Sequence, residues 1–178
     1  MAEKTDEKTT PPNETVPSET VPSETARRWI FVVRVLDKPG TLTAAAAVFS
    51  NRGVSLESIL GSGIGATAIE DGRLILNFQA TAPKQALLHR ALERLPYTFR
   101  VDAYAYDDPK LRAIAIARLS TSTKLLSDDD SYSVETIAQN GSERTVMFNG
   151  TPLAVEAAIA QFRQHNQLND VVMSYIAI

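Results

Sequence analysis

Cysteine does not occur in this 178-residue chain. Disulfides, thiolate metal sites and cysteine nucleophiles are therefore excluded, and a reducing, cytoplasmic setting is the expectation. Histidine occurs twice. His89 and His165 both fall in expected helices, and neither has an Asp, a Ser or a second His at a spacing that makes a relay or a metal site. Both read as surface helix residues. Long apolar runs are also missing. None approaches the roughly 20 residues of a membrane span, and the N-terminus has neither the apolar core of a signal peptide nor the arginines of a transit peptide. Nor is there a basic excess. The formal charge is −3, but residues 1–26 hold six acids against two lysines and so carry −4. The remaining 16 basic and 15 acidic residues leave the rest at +1, too little for a nucleic-acid field. No grouping of base, nucleophile and orienting residue stands out, so the chain is read as a non-enzyme with no catalytic residue and no metal ligand.

What is present is a sizeable apolar fraction, 44%, enough for one or two small domains. It is unevenly placed. Residues 1–27 form an acidic tail rich in Pro, Thr, Glu and Ser, in which Glu-Thr-Val-Pro-Ser recurs at a five-residue spacing. Such a segment buries almost nothing and is expected to be disordered. Structure begins at Arg28. Trp29, Phe31, Val33 and Val35 alternate with Ile30, Val32 and Arg34, a strand that is mostly apolar on both faces and so central in its sheet. Leu42, Ala45, Ala46 and Phe49 mark a helix over 41–52, stopped at Gly53. Val54–Leu60 reads as a second strand, Gly61–Gly72 as a glycine-rich loop, and Leu74, Leu76, Phe78 and Ala80 as a third strand. Pro83 opens a second helix with Leu87, Leu88, Ala91, Leu92 and Leu95 on one face, and Phe99–Ala105 gives a fourth strand.

The order βαββαβ over residues 28–106 predicts a ferredoxin-like α+β sandwich. A polar link at 107–110 leads to a second unit, 111–178. Leu111–Leu119 is a strand, and Ser120–Ser131 is a polar segment. Val134–Ala138 and Arg144–Phe148 flank the hairpin signal Asn140-Gly141. Thr151-Pro152 starts a helix faced by Val155, Ala158, Ile159 and Phe162, and Val171–Ile178 is a last strand. This is a diverged copy of the first plan with its first helix reduced or lost. One face of its sheet is left thinly covered, open to packing by another subunit.

The turn Asp37-Lys38-Pro39-Gly40 carries the sharpest chemistry. It lies where the first strand passes to the first helix, so the helix's unpaired N–H groups face whatever binds there. Asp37 stands beside them. Donors on one side and a carboxylate on the other suit a zwitterion, that is, an amino acid. Gly61-Ser62-Gly63-Ile64-Gly65 is not a dinucleotide fingerprint, because no helix follows it. It is a loop able to close over a ligand. Asp128-Asp129-Asp130 lacks the alternating ligands and glycine of a calcium loop. The outward residues of the third strand, Arg73, Ile75, Asn77 and Gln79, include no stacking aromatic, which argues against RNA.

Leu36-Asp37-Lys38-Pro39-Gly40-Thr41-Leu42, with Val48-Phe49-Ser50-Asn51-Arg52-Gly53-Val54-Ser55-Leu56-Glu57-Ser58-Ile59-Leu60, resembles an ACT domain, the amino-acid-binding regulatory module. More narrowly it is similar to the small, regulatory subunit of acetolactate synthase. The resemblance implies a homodimer of ACT domains paired edge to edge. An amino-acid effector would sit between the Pro-Gly turn of one chain and the second strand of the other. Gly40 and Thr41 would offer N–H groups to its carboxylate and Asp37 would hold its ammonium. Pro39 and Leu42 would complete that side, and Ser55, Leu56 and Ile59 would come from the neighbouring chain. The family carries asparagine at the positions of Asp37 and Ser55. The resemblance also implies a large catalytic subunit that uses thiamine diphosphate, FAD and magnesium. This chain would bind no cofactor of its own. Two other readings stay open: a stand-alone ACT sensor acting on another protein, and a dimerisation module that has lost its ligand.

Overall fold

The computed structural model describes residues 25–63, 71–123, 125 and 131–177. The expectations on the tail up to Glu24, on residues 64–70 and on the aspartates at 128–130 lie outside the described residues.

The apolar segment Arg27–Leu36 is strand β1 and takes the middle of its sheet. β3 (Asp71–Ala80) and β4 (Thr98–Ala105) pair with it on either side, and β2 (Leu56–Gly63) adds to β3, all antiparallel in the order β2-β3-β1-β4. Helices α1 (Thr41–Ser50) and α2 (Ala82–Glu93) cover one face. Phe78 meets Phe31 and Phe49 edge-on there, with ring centroids 4.7 and 4.9 Å apart. Such pairs add about 0.5–1.5 kcal/mol each beyond burial. Leu88 and Leu92 of α2 are fully buried, whereas Leu87, expected on that face, is exposed. His89 is half-buried rather than a surface residue. Its Nε2 lies 2.9 Å from the Val101 carbonyl and its ring stands edge-on to Phe31.

Both ends of β2 differ from the sequence reading. Val54 closes the helix stop instead of opening β2: its N–H donates to the Phe49 carbonyl across Gly53, whose φ is +63°. The β2–β3 ladder runs on to pair Gly63 with Gly72, where a loop was expected. Period-two alternation cannot be read where the residues are glycine and serine.

The second sheet repeats the first. β5 (Leu111–Ser120) is central, β7 (Glu143–Gly150) and β8 (Leu168–Ala177) flank it, and β6 (Tyr132–Asn140) is the far edge, in the order β6-β7-β5-β8. The hairpin turns at Gly141, φ +56°. α3 (Pro152–Gln164) is capped by Thr151, whose Oγ1 accepts from the Ala154 N–H. No described residue between β5 and β6 is helical. The face left short of a helix is covered from within the chain. Ile30 and Val32, from the helix-free side of β1, enter a core with Leu111, Ala113, Phe148 and Val155. The third strand's outward residues are therefore partly inside: Ile75 packs on this core and Asn77 is 5% exposed. The opposite face of the second sheet presents Ile116, Val172 and Ile176 to solvent.

Candidate functional site

The strand-to-helix turn is held from both ends. The Thr41 hydroxyl donates to the Leu36 carbonyl at 3.1 Å, and the Thr41 N–H donates to the Lys38 carbonyl at 3.1 Å. Gly40 makes the bend with φ +89°, a conformation that costs a residue with a Cβ about 1–2 kcal/mol. It is the N-cap of α1, and no side chain caps that end and no acid lies in its first turn. The first intrahelical bond runs from Ala44 N–H to the Gly40 carbonyl. The N–H groups of Leu42 and Thr43 are thus left without an intrahelical acceptor. Thr41 was expected to supply such a donor, but its N–H is already engaged and its side chain is buried. The donor role passes one and two residues along. Lys38 turns its ammonium toward Tyr97, 5.5 Å from the ring centre.

Asp37 lies close against glycines across the sheet. A Cβ on Gly63 would stand 2.8 Å from Asp37 Oδ2, and one on Gly72 would stand 3.3 Å from Asp37 Cβ and from Val35. The glycines that read as a loop leave the room this carboxylate occupies. The turn, the end of β2 and the start of β3 enclose a cavity of about 570 Å³, in the roughly 300–1,000 Å³ range of small-molecule sites. Asp37, Pro39, Gly40, Thr41 and Leu42 all line it, as do Gly63 and Gly72, which the sequence reading did not assign to the site. A glycine within a strand was the available signal. Ser55 and Leu56 lie apart, in a hollow of about 560 Å³ beyond the C-terminal end of α1. Ile59 is 40% exposed on β2, an edge strand bonded on one side by β3. Within one chain the structure therefore brings five of the eight expected residues together.

A cluster of displaced ionisations lies elsewhere, between the two sheets. Arg28 Nη1 donates to both carboxylate oxygens of Glu156 (2.8 and 2.9 Å), its Nε lies 3.0 Å from Glu57, and its guanidinium sits over the Tyr106 ring. Burial alone would lower Arg28, but Glu156 and Glu57 outweigh it and hold it above its usual value. Burial, and then hydrogen bonding to Tyr175, pushes the Tyr106 phenol far above its usual range, and burial raises Tyr175 as well. Among the described residues no group of three His, Asp or Glu is placed to hold a metal ion, and no helix is long and apolar enough to cross a membrane.

No protein-family model matches the chain, and no curated protein matches it in sequence. Solved structures do. The acetolactate synthase small subunit from Thermotoga maritima aligns over 85% of this chain and 96% of its own, at 19% identity and a TM-score of 0.64. The fold is the ferredoxin-like ACT arrangement. The ligand-free regulatory subunit of aspartate kinase from Thermus thermophilus aligns over 81% of this chain and 94% of its own, at 14% identity. Its TM-score is 0.42.

Proposed function

We propose that this chain is a non-catalytic regulatory subunit of an acetolactate-synthase-like enzyme in branched-chain amino-acid biosynthesis, and that it binds an amino-acid effector between paired ACT domains. The cavity at the Asp37–Leu42 turn is the observation that carries the reading. An effector carboxylate fits the open N–H groups of Leu42 and Thr43, where the helix dipole adds about 0.3–1 kcal/mol. Its ammonium fits Asp37. The free side of β2 suits pairing with the same edge of a second copy. That pairing would carry Ser55, Leu56 and Ile59 of one protomer toward the turn of its partner. Thiamine diphosphate, FAD and magnesium would belong to the catalytic subunit. Effector binding and subunit activation are then reciprocally coupled.

The test is to purify the tagged chain from its own host and identify what accompanies it. A thiamine-diphosphate-dependent large subunit, with activity that responds to an amino acid, is the expected result. A homodimer that binds an amino acid and leaves such an enzyme unaffected would replace this reading with a stand-alone sensor. A homodimer that binds none would leave a dimerisation module.

A further inference from the structure

A second cavity, of about 410 Å³, lies between the two units, bounded by the helix-free face of the first sheet, α3 and β8. Its walls divide by chemistry. At one end stand Asn77, Tyr175 and Glu156. Asn77 is 5% exposed, and its Nδ2 donates to the Tyr175 hydroxyl at 3.4 Å. Its Oδ1 is buried with no partner, a deficit of about 1–3 kcal/mol that a bound donor would remove. The adjoining cluster of Arg28, Glu57 and Glu156 sets one cation against two carboxylates and leaves one negative charge. At the other end is Arg163, exposed, with no carboxylate among the described residues paired to it. Ile159 and Ala160 lie between, faced by Val171 and Met173 of β8.

Positions 156, 159, 160 and 163 follow the i, i+3, i+4, i+7 rule and form one stripe of α3: acid, apolar, apolar, base. Helical side chains lean toward the N-terminus, which is the direction from Arg163 to Glu156. The wall thus offers an acceptor end, an aliphatic floor and a cation reaching back over it.

From this arrangement we propose that the inter-unit cavity is a second amino-acid site, for an aliphatic α-amino acid. The ligand ammonium bonds to Asn77 Oδ1 beside Glu156, its carboxylate meets Arg163, and its side chain rests on Ile159, Val171 and Met173. The site is separate from the Asp37 turn and does not depend on it. Because it is walled by both units, its occupancy stabilises their docking.

The experiment is an amide and side-chain NMR titration of the full chain with L-valine, L-leucine and L-isoleucine in turn. Saturable shifts at Asn77 Nδ2 and at Ala160, Arg163 and Met173 are expected with at least one of them. Arg163→Ala, an exposed change that leaves the core intact, should weaken that binding about tenfold or more. Arg163→Lys should retain most of it, and Asp37→Ala should leave it unchanged. Shifts confined to residues 37–42 and 61–63 would overturn the second site and leave the turn site standing. Shifts confined to the inter-unit cavity would do the reverse. No shift with any of the three would overturn the second site.

Discussion

At the scale of single residues the account turns on Asp37 and the glycines that seat it. A hydrogen bond to a charged group is worth about 1.5–3 kcal/mol. Asp37→Ala should therefore lower effector affinity roughly 10- to 100-fold while leaving the unliganded melting temperature nearly unchanged, because Asp37 is exposed. Calorimetric titration beside a thermal melt separates the two effects. Gly63→Ala should act on the same affinity by displacing the carboxylate, since its new methyl would lie 2.8 Å from Asp37 Oδ2. Gly61→Ala meets only Leu74 at an ordinary 3.4 Å and should be tolerated. The turn itself was legible in sequence, because proline and glycine have strong backbone preferences and Asp37 stands next to them. The role of Gly63 was not, because what it excludes is a side chain 26 positions away.

At the scale of elements, α3 is the piece that locks the units together. It supplies Glu156 to Arg28 and Ile159 to the shared core. Arg28→Met should destabilise the chain by about 1–3 kcal/mol, more than a surface pair would, because it strips the cation from two carboxylates that are themselves partly buried. Urea unfolding gives this value, and double substitution with Glu156→Gln should recover part of the loss. The strands and helices that alternate cleanly, β1, α1, α2 and α3, could be read from periodicity alone. The docking of the units could not. Arg73, Ile75, Asn77 and Gln79 look like a solvent face, since one hydrophobe in four gives no period. The burial of Ile75 and Asn77 is decided by β8 and α3, about 80 to 100 residues later.

At the scale of the whole molecule, two behaviours follow. The first is alkaline lability. In the folded chain burial lifts Tyr106 far above the ordinary tyrosine value of 10.0 and raises Tyr175 above it as well. Unfolded, they release their protons as pH rises through about 10, so above that pH the native state binds more protons and stability falls. Melting temperature against pH from 8 to 11 should show the decline, and Tyr106→Phe should flatten it. The second is association through β2. Sedimentation should find a dimer, and Ile59→Lys, which places a charge on the exposed edge strand, should give monomers with effector binding lost. The repeated strand order was legible once the second hairpin was recognised. The inward closure of its helix-poor face was not, because the closing residues, Ile30 and Val32, belong to the other unit.

On the proposed function, the turn of the first unit holds an amino acid. The direct measurement is the melting temperature of the Arg163→Ala chain, in which the inter-unit site is disabled, against each of the twenty amino acids, repeated with Asp37→Ala added. A ligand at a hundred times its Kd adds about 2.7 kcal/mol, which at this chain length raises the melting temperature by roughly 5–10 °C. A rise of that order is expected with at least one amino acid, with its loss or sharp reduction once Asp37→Ala is added. No rise with any of the twenty, or a rise that survives intact in the double variant, would contradict it.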